Sequence, residues 1–192
     1  MITVPTNIKG LIFDCDGTLV DSMLLHRNAW AAALETYGGK YDEEYFLTKR
    51  GMKETEIVEE YNEHFGTTLN VHGVVTEKHR LFMSHIHEVQ PIRVVTSIAE
   101  QYHGKLPMAV VSGSVREIVM KELHVIGIAH LFSHILTGDD PFPQKPAPDL
   151  FREAARLIGI PTTECQVFED GDLGLLGAER AGMLATDIRP FL

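Results

Sequence analysis

The sequence predicts an α/β fold, in which a doubly wound parallel sheet carries an inserted α-helical cap. Two observations support this prediction. From residue 91 onward, short apolar runs typical of buried strands alternate with segments of helical periodicity, and such alternation indicates a parallel sheet covered by helices on both faces. Residues 22–89 show helical periodicity without the alternation of a strand. We therefore expect one sheet domain that is interrupted by a helical insertion.

The first predicted strand leads directly into a pair of carboxylates. Apolar Leu11, Ile12 and Phe13 are followed by Asp14 and Asp16. Because side chains alternate along an extended chain, the two carboxylates point to the same side. Like charges at so short a separation repel each other unless a cation or a shared proton offsets them. The pair therefore indicates a metal-assisted nucleophile and a proton carrier.

The inserted block reads as a small set of helices. Apolar and small residues recur at helical spacing between residues 24 and 33, and Gly38 and Gly39 end this pattern. Further helices are predicted over residues 42–50, 53–65 and 71–87, the last of them weakened by Gly73.

The second half of the chain supplies the remaining strands and helices of the sheet domain. Apolar runs predict strands over residues 107–111, 133–136, 165–168 and 184–188. The segments between them predict helices over residues 92–102, 115–123, 149–158 and 173–181.

Three of the predicted strands end in polar residues. Asp14 and Asp16 follow the first strand, residues 112–114 (Ser-Gly-Ser) follow the second, and Glu169 and Asp170 follow a later one. In open parallel sheets, ligands bind at the carboxyl ends of strands near a topological switch point. Small residues at 112–114 let backbone amides turn toward an anion, although an ordinary strand-to-helix turn explains this stretch equally well by itself. One cleft lined by carboxylates, hydroxyls and amides is therefore expected.

A lysine on a stiff loop completes the set of candidate residues. Lys145 precedes Pro146 and Pro148, and the two prolines hold this segment extended. A lysine on such a loop can present a fixed positive charge to clustered carboxylates. A lysine beside prolines is, by itself, more often a solvated loop residue.

Composition excludes some classes of function. The formal net charge is −10, from 27 acidic against 17 basic residues, whereas nucleic-acid binding normally needs a basic surface. A small anionic substrate remains compatible, since a site can be locally positive and carry its own metal ion. No apolar run approaches the ~20 residues of a membrane span, and the N-terminal residues lack the features of a signal peptide. We expect a cytoplasmic protein with no nucleic-acid or membrane partner.

Four segments together resemble the motifs of a known family. The stretch Asp14-Cys15-Asp16-Gly17-Thr18-Leu19-Val20-Asp21 resembles the first motif of the haloacid dehalogenase superfamily, and residues 111–114, 145–149 and 168–171 resemble the second, third and fourth, in order. The resemblance covers the whole chain, and it is strongest to the β-phosphoglucomutase-like branch, in particular to bacterial phosphatases of fructose 1-phosphate and 6-phosphogluconate. It implies a Rossmann-like catalytic core of residues 1–21 and 90–192 with a helical cap of residues 22–89.

The resemblance also implies roles for the first and fourth motifs. Asp14 would be the nucleophile that forms an aspartyl-phosphate. Asp16 would protonate the leaving oxygen and then take a proton from water, and Thr18 would orient Asp16 or the phosphate. Asp14, the backbone carbonyl of Asp16, and Asp170 would bind Mg²⁺, with Glu169 reaching it through water.

Phosphate and sugar contacts are implied in the same way. Ser112, the amide of Gly113 and Lys145 would bind the phosphoryl oxygens, where charge must be stabilised in the transition state. Contacts from the cap to the substrate are expected from His26, Arg50 and Lys53.

The function expected from the resemblance is a Mg²⁺-dependent phosphatase of small phosphosugars. A β-phosphoglucomutase is the alternative. Mutases of that branch place an arginine three residues after a cap glycine, and if Gly51 is that glycine, Glu54 takes the position. Lys49, Arg50 and Lys53 lie near enough in sequence to compensate for this carboxylate. The mutase alternative therefore stays open.

Two other functions are disfavoured. A non-catalytic sugar-phosphate sensor would not need the nucleophile, proton carrier, metal acids and lysine together. Dehalogenation would not need Asp16 or the metal acids. A cap that covers a small site also allows a monomer.

Overall fold

The structure is a computed structural model that describes residues 2–49 and 51–192. In this part of the chain a parallel sheet is built from five strands: β1 (Gly10–Phe13), β4 (Met108–Val111), β5 (His134–Leu136), β6 (Cys165–Glu169) and β7 (Leu184–Asp187). Their order across the sheet is β5-β4-β1-β6-β7. The predicted doubly wound α/β fold is confirmed, because the chain winds outward from β1 in both directions.

The central strand β1 divides the core into two layers. Leu11 and Phe13 pack in one apolar cluster, where the Phe13 ring stacks on Phe168 at 4.8 Å between centroids. Ile12 points to the opposite face, where Leu150 and Phe151 pack. Since all of β1 is buried, its apolar run reflects burial on both faces rather than on one.

The inserted segment folds as the helices α1 (Met23–Thr36), α2 (Glu43–Leu47), α3 (Glu54–Phe65) and α4 (Val71–His85). They share an apolar cluster of their own that includes Trp30, Phe46 and Tyr61. α4 continues through Gly73, which was expected to weaken it. A Cβ atom at Gly73 would lie 2.6 Å from the Tyr37 hydroxyl oxygen, so the glycine provides room for this ring.

The sheet is flanked by α5 (Arg93–Tyr102), α6 (Arg116–Val125), α7 (Asp149–Ile158) and α8 (Asp172–Arg180). α7 buries a stripe of Leu150, Phe151, Ala154 and Ala155, which is the spacing of one helix face. It ends at Gly159, whose φ of 73° is accessible to glycine at little cost. Most predicted elements are present, with ends that differ by a few residues.

A short antiparallel pair was not predicted. β2 (Val20–Asp21) pairs with β3 (Gln90–Pro91), so the two connections to the inserted helices lie side by side. Strands of two residues are too short to show an alternating pattern. Within the described residues, no helix is both long and apolar enough to cross a membrane.

Candidate active site

The polar ends of three strands meet at one edge of the sheet. Asp14 follows β1, Ser112 follows β4, and Glu169 ends β6. They are neighbours because β1 lies between β4 and β6. These residues line a cavity of about 320 Å³ whose opposite wall comes from the inserted helices. The predicted convergence is therefore present in the structure.

Lys145 lies at the centre of this edge. Its side chain is fully buried, and its Nζ donates to Asp14 Oδ1 at 2.7 Å, to Glu169 Oε1 at 2.5 Å and to the Val111 carbonyl at 3.0 Å. An ammonium has three donors, so these contacts fix its position. Burial opposes the charge, but the carboxylates of Asp14 and Glu169 raise the pKa of Lys145 above its ordinary value.

A buried acidic cluster surrounds the lysine. Carboxylate oxygens of Asp14, Glu169 and Asp170 lie within 4.8 Å of one another. Burial, reinforced by the charge of Glu169, raises the pKa of Asp14 to about 8, although Lys145 acts in the opposite direction. Lys145 pairs with two of these three carboxylates, Asp14 and Glu169. Hard oxygen ligands with surplus negative charge are the donor set that suits Mg²⁺, so these residues could hold a metal ion.

Neighbouring groups hold the carboxylates of the acidic cluster in place. The Thr18 hydroxyl donates to Asp170 Oδ1 at 3.3 Å, so the structure places Thr18 against this acid, and its expected phosphate contact stays a prediction. The Gly171 amide donates to Glu169 Oε2 at 3.0 Å. A Cβ atom at Gly174 would overlap the Glu169 carboxylate. Glycine at 174 therefore lets α8 pack directly against this side chain.

The side chain of Asp16 has a different set of partners. Its Oδ1 lies 2.6 Å from His26 Nε2 and accepts from the Ser22 hydroxyl at 2.8 Å. Its Oδ2 accepts from the Ser114 hydroxyl at 2.7 Å and from Ser112 at 3.4 Å. Burial raises the pKa of Asp16, but His26 and the serine hydroxyls outweigh that effect and hold it well below the ordinary value. Asp14 and Asp16 thus differ in protonation tendency despite lying two residues apart.

His26 joins the inserted helices to this carboxylate. It lies on α1, is buried, and stacks on the Phe82 ring of α4 at 4.2 Å between centroids. It also lines the cavity. The expected contact with substrate therefore stays a prediction, whereas its contact with Asp16 is observed.

A second buried acid lies behind Asp16. Burial and the charge of Asp16 raise the pKa of Glu122, on α6, well above its ordinary value. The Cys15 thiol donates to Glu122 Oε2 at 3.6 Å, and Cys15 is fully buried in the apolar core. Glu122 is therefore the acid expected to keep its proton, which leaves the negative charge on Asp16.

The loop after β4 touches the inserted segment. The Ser114 amide donates to Ser112 Oγ at 3.0 Å, which turns the loop tightly. A Cβ atom at Gly113 would lie 2.6 Å from the Gly51 carbonyl oxygen. The segment around Gly51 therefore packs directly against residues 112–114, the loop that is predicted to bind phosphate.

The structure does not bring every expected cap residue to the cavity. Arg50 lies outside the described residues. Lys53 is exposed and borders a separate depression with Glu56, Asp139 and Asp140. The next residue, Glu54, lines the cavity instead. Lys53 has an extended backbone at the start of α3 (φ −67°, ψ 132°), so the two neighbouring side chains point apart.

Sequence reasoning missed several residues near the site. Ser22 precedes α1 but makes no side-chain cap, and its hydroxyl contacts Asp16 instead. Its position beside the first motif was the available signal. Lys78 is fully buried on α4 and is hydrogen-bonded to Glu54. A lysine on a helix is usually exposed, so no pattern indicated this pair.

Comparison with known proteins identifies the family. The model of haloacid dehalogenase-like hydrolases matches residues 11–187. The chain belongs to this family. A fructose-1-phosphate phosphatase of Escherichia coli is 36% identical over 181 residues, which cover 94% of this chain and 96% of the relative. A 6-phosphogluconate phosphatase of the same organism is 28% identical, over 93% of this chain and 81% of the relative.

Solved structures agree with the fold. A β-phosphoglucomutase from Clostridium difficile has a TM-score of 0.84 at 21% identity and covers 94% of this chain and 84% of that chain. A hydrolase from Pseudomonas syringae has the same TM-score at 24% identity, over 94% of this chain and 83% of that chain. These similarities concern the fold alone. The predicted family and the predicted class of enzyme, a phosphatase of this hydrolase family, are confirmed.

Proposed function

We propose that this chain is a Mg²⁺-dependent phosphatase that hydrolyses small phosphosugars of the fructose 1-phosphate or 6-phosphogluconate type. The observation that carries the proposal is the pair of neighbouring aspartates with opposite surroundings. Asp14 is held by Lys145 inside the acidic cluster, whereas Asp16 is held by His26 and by serine hydroxyls. The named phosphatase relatives support the sugar-phosphate substrate.

Asp14 is the proposed nucleophile. One carboxylate oxygen attacks phosphorus while the bond from phosphorus to the sugar oxygen breaks. Lys145 holds Asp14 in one orientation, and its charge lies beside the phosphoryl group that is transferred. Ser112 and the amide of Gly113 are proposed to hold the other phosphoryl oxygens. The products of this half-reaction are the free sugar and an aspartyl-phosphate.

Asp16 is the proposed acid and base. The proton it passes to the departing sugar oxygen comes from the hydrogen bond that Asp16 shares with His26, 2.6 Å away, so the pair acts as the acid. In the second half-reaction Asp16 takes a proton from water as the water oxygen attacks phosphorus. The bond between phosphorus and Asp14 then breaks, which releases inorganic phosphate and restores both aspartates.

Mg²⁺ fits the acidic cluster chemically. We propose that Asp14, Asp170 and the backbone carbonyl of Asp16 bind it, with Glu169 reaching it through water. When bound, the ion offsets negative charge on the phosphoryl oxygens. The raised pKa of Asp14 without a metal supports this assignment, because burial and the nearby charge of Glu169 disfavour the ionised carboxylate, and a bound cation would offset both effects.

We propose that residues 1–21 and 90–192 form the catalytic core and residues 22–89 form a cap that moves over it. The paired strands β2 and β3 lie at this boundary, and two short connections side by side suit a hinge. Residues from both parts of one chain line the cavity, which supports a monomer.

The mutase alternative has less support. A mutase must hold a second phosphate in the cap, but Glu54 lines that wall of the cavity. A carboxylate there disfavours a distal dianion. Two isolated like charges about 4 Å apart repel by ~4 kcal/mol at an effective dielectric constant of 20, and the pairing of Glu54 with Lys78 reduces this repulsion.

The test is phosphate release from a panel of phosphosugars with and without Mg²⁺, for wild type and Asp14→Asn. We expect Mg²⁺-dependent release, reduced by more than about 100-fold in the variant, because losing a covalent nucleophile costs at least this much. β-Glucose 1-phosphate with a trace of the 1,6-bisphosphate is the second arm. If glucose 6-phosphate forms much faster than inorganic phosphate is released, the chain is a mutase and not a phosphatase.

A further inference from the structure

The cavity wall that faces Asp14 carries a carboxylate of its own. Glu54, the first residue of α3, is 8% exposed and lines the cavity. Lys78 Nζ donates to its Oε1, and His79 Nε2 contacts its Oε2. An ionised carboxylate has about four acceptor positions. One contact on each oxygen leaves acceptor capacity for hydroxyl donors of a ligand.

The charge of Glu54 is stabilised from behind. Burial alone would raise its pKa, but Lys78 and His79 outweigh that effect and lower the pKa of Glu54 to about 2. The Lys78 ammonium is completely buried, and it lies 5.0 Å from the centroid of the Phe82 ring and 5.6 Å from that of Trp30. Its positive charge is therefore held inside the cap and does not line the cavity.

The other cations on this wall already have partners. Among the described residues that line the cavity, Arg27 faces Glu43 at 3.5 Å and Lys49 faces Glu60 at 2.5 Å. The described part of the wall thus offers acceptors, together with cations that are already compensated. This arrangement suits a hydroxylated group without charge, and it is unfavourable to an anion.

We infer that Glu54 is a specificity residue, which accepts hydrogen bonds from the hydroxyls of an uncharged sugar and rejects phosphate esters that carry a second anionic group. This inference rests on the proposed function and narrows it. A substrate of the fructose 1-phosphate type places only hydroxyls at this wall, whereas one of the 6-phosphogluconate type brings a carboxylate toward Glu54. The cavity of about 320 Å³ is at the small end of the range of about 300–1,000 Å³ for small-molecule sites.

The experiment compares kcat/KM for fructose 1-phosphate, fructose 1,6-bisphosphate and 6-phosphogluconate with Mg²⁺ present. The first two substrates differ by one phosphate. The ratio of kcat/KM for fructose 1-phosphate to kcat/KM for fructose 1,6-bisphosphate therefore measures how strongly the second anion is rejected. We expect wild type to prefer fructose 1-phosphate by about 100-fold or more, and Glu54→Gln to reduce the ratio about tenfold or more, since like charges facing each other cost several kcal/mol. Glu77→Gln is the matched control, because Glu77 lies next to Lys78 on α4 and pairs with Arg80 outside the cavity. It should keep the wild-type ratio.

Glu54→Gln leaves the buried Lys78 without its partner, which can prevent folding. Glu54→Gln with Lys78→Met removes both charges and should lower the ratio in the same way. Wild-type enzyme that accepts the bisphosphate within a few-fold of fructose 1-phosphate overturns the inference, as does an unchanged ratio in the folded variant. These outcomes leave the phosphatase intact, whereas no phosphate release from any substrate overturns the proposed function as well.

Discussion

His26 Nε2 lies 2.6 Å from Asp16 Oδ1, so an inserted helix directly contacts a carboxylate at the end of the central strand. Ser22, at the start of α1, contacts the same oxygen, while Ser112 and Ser114 from the sheet domain contact the other. Asp16 is therefore held jointly by both parts of the molecule. A movement of the helices away from the sheet would remove the partners of Oδ1 and leave those of Oδ2.

Replacing His26 tests this arrangement. We expect His26→Ala to lower kcat for a sugar phosphate by ~10²-fold, the lower end of what general acid–base assistance contributes. p-Nitrophenyl phosphate has a leaving group that needs little protonation. Phosphoryl transfer from this substrate to Asp14 should therefore slow much less. Single-turnover kinetics with both substrates measure the difference. Equal losses for the two would show that His26 does not act through proton delivery by Asp16.

The acidic cluster predicts stabilisation by Mg²⁺. A ligand at about 100 times its Kd stabilises the folded state by ~2.7 kcal/mol. For a chain of this size we therefore expect Mg²⁺ to raise Tm by about 5–10 °C. Asp170→Asn removes one carboxylate of the cluster and should abolish most of that shift.

The control for Asp170→Asn is Asp172→Asn, since Asp172 is 84% exposed in its side chain and pairs with Arg189. It should retain the full Mg²⁺ shift. Differential scanning calorimetry with and without the ion measures both variants. A full shift in Asp170→Asn would remove Asp170 from the metal site.

The sequence predicted the sheet well because its strands are buried on both faces. Ile12 and Phe13 pack into opposite layers, which requires a continuous apolar run of the kind that pattern analysis detects. The site was predictable to the same extent, since Asp14, Ser112 and Glu169 each follow such a run. The order β4-β1-β6 then brings these strand ends together.

The partners of these residues were less predictable. Glu54 and Lys78 are 24 residues apart on different helices, and their pairing depends on how α3 packs against α4. Local periodicity contains no information on such a contact. The same holds for His26, whose burial is decided by Phe82 and Asp16 rather than by its neighbours in the chain.

The contact between Gly113 and Gly51 predicts that Gly113→Ala impairs turnover. The added methyl group would lie 2.6 Å from the Gly51 carbonyl oxygen, so the segment around Gly51 must move away from the loop after β4. Lids complete and seal such sites, and misplacement by about 1 Å can cost ~10²-fold in rate. We expect a loss of this order in kcat/KM for sugar phosphates, with a much smaller change in Tm, because the contact is between two loops. An unchanged kcat/KM would show that this contact is not needed during catalysis.

The buried Glu54–Lys78 pair predicts a pH-dependent contribution to stability. The pKa of Glu54 is lowered from its ordinary value of 4.5 to about 2, so the stability that its charge contributes is fully present above pH ~4.5 and is lost as pH falls toward 2. A difference of about 2.5 pKa units corresponds to ~3 kcal/mol.

Protonated glutamic acid resembles glutamine, so wild type should exceed Glu54→Gln by about 3 kcal/mol in unfolding free energy at pH 7, and by ~2 kcal/mol at pH 3.5. Urea unfolding at a series of pH values measures this difference. Glu77→Gln, which changes a partly exposed carboxylate on α4, should show a much smaller pH dependence. A wild-type advantage over Glu54→Gln that stays constant from pH 7 to 3.5 would mean that the stabilisation comes from the shape of the Glu54 side chain and not from its charge.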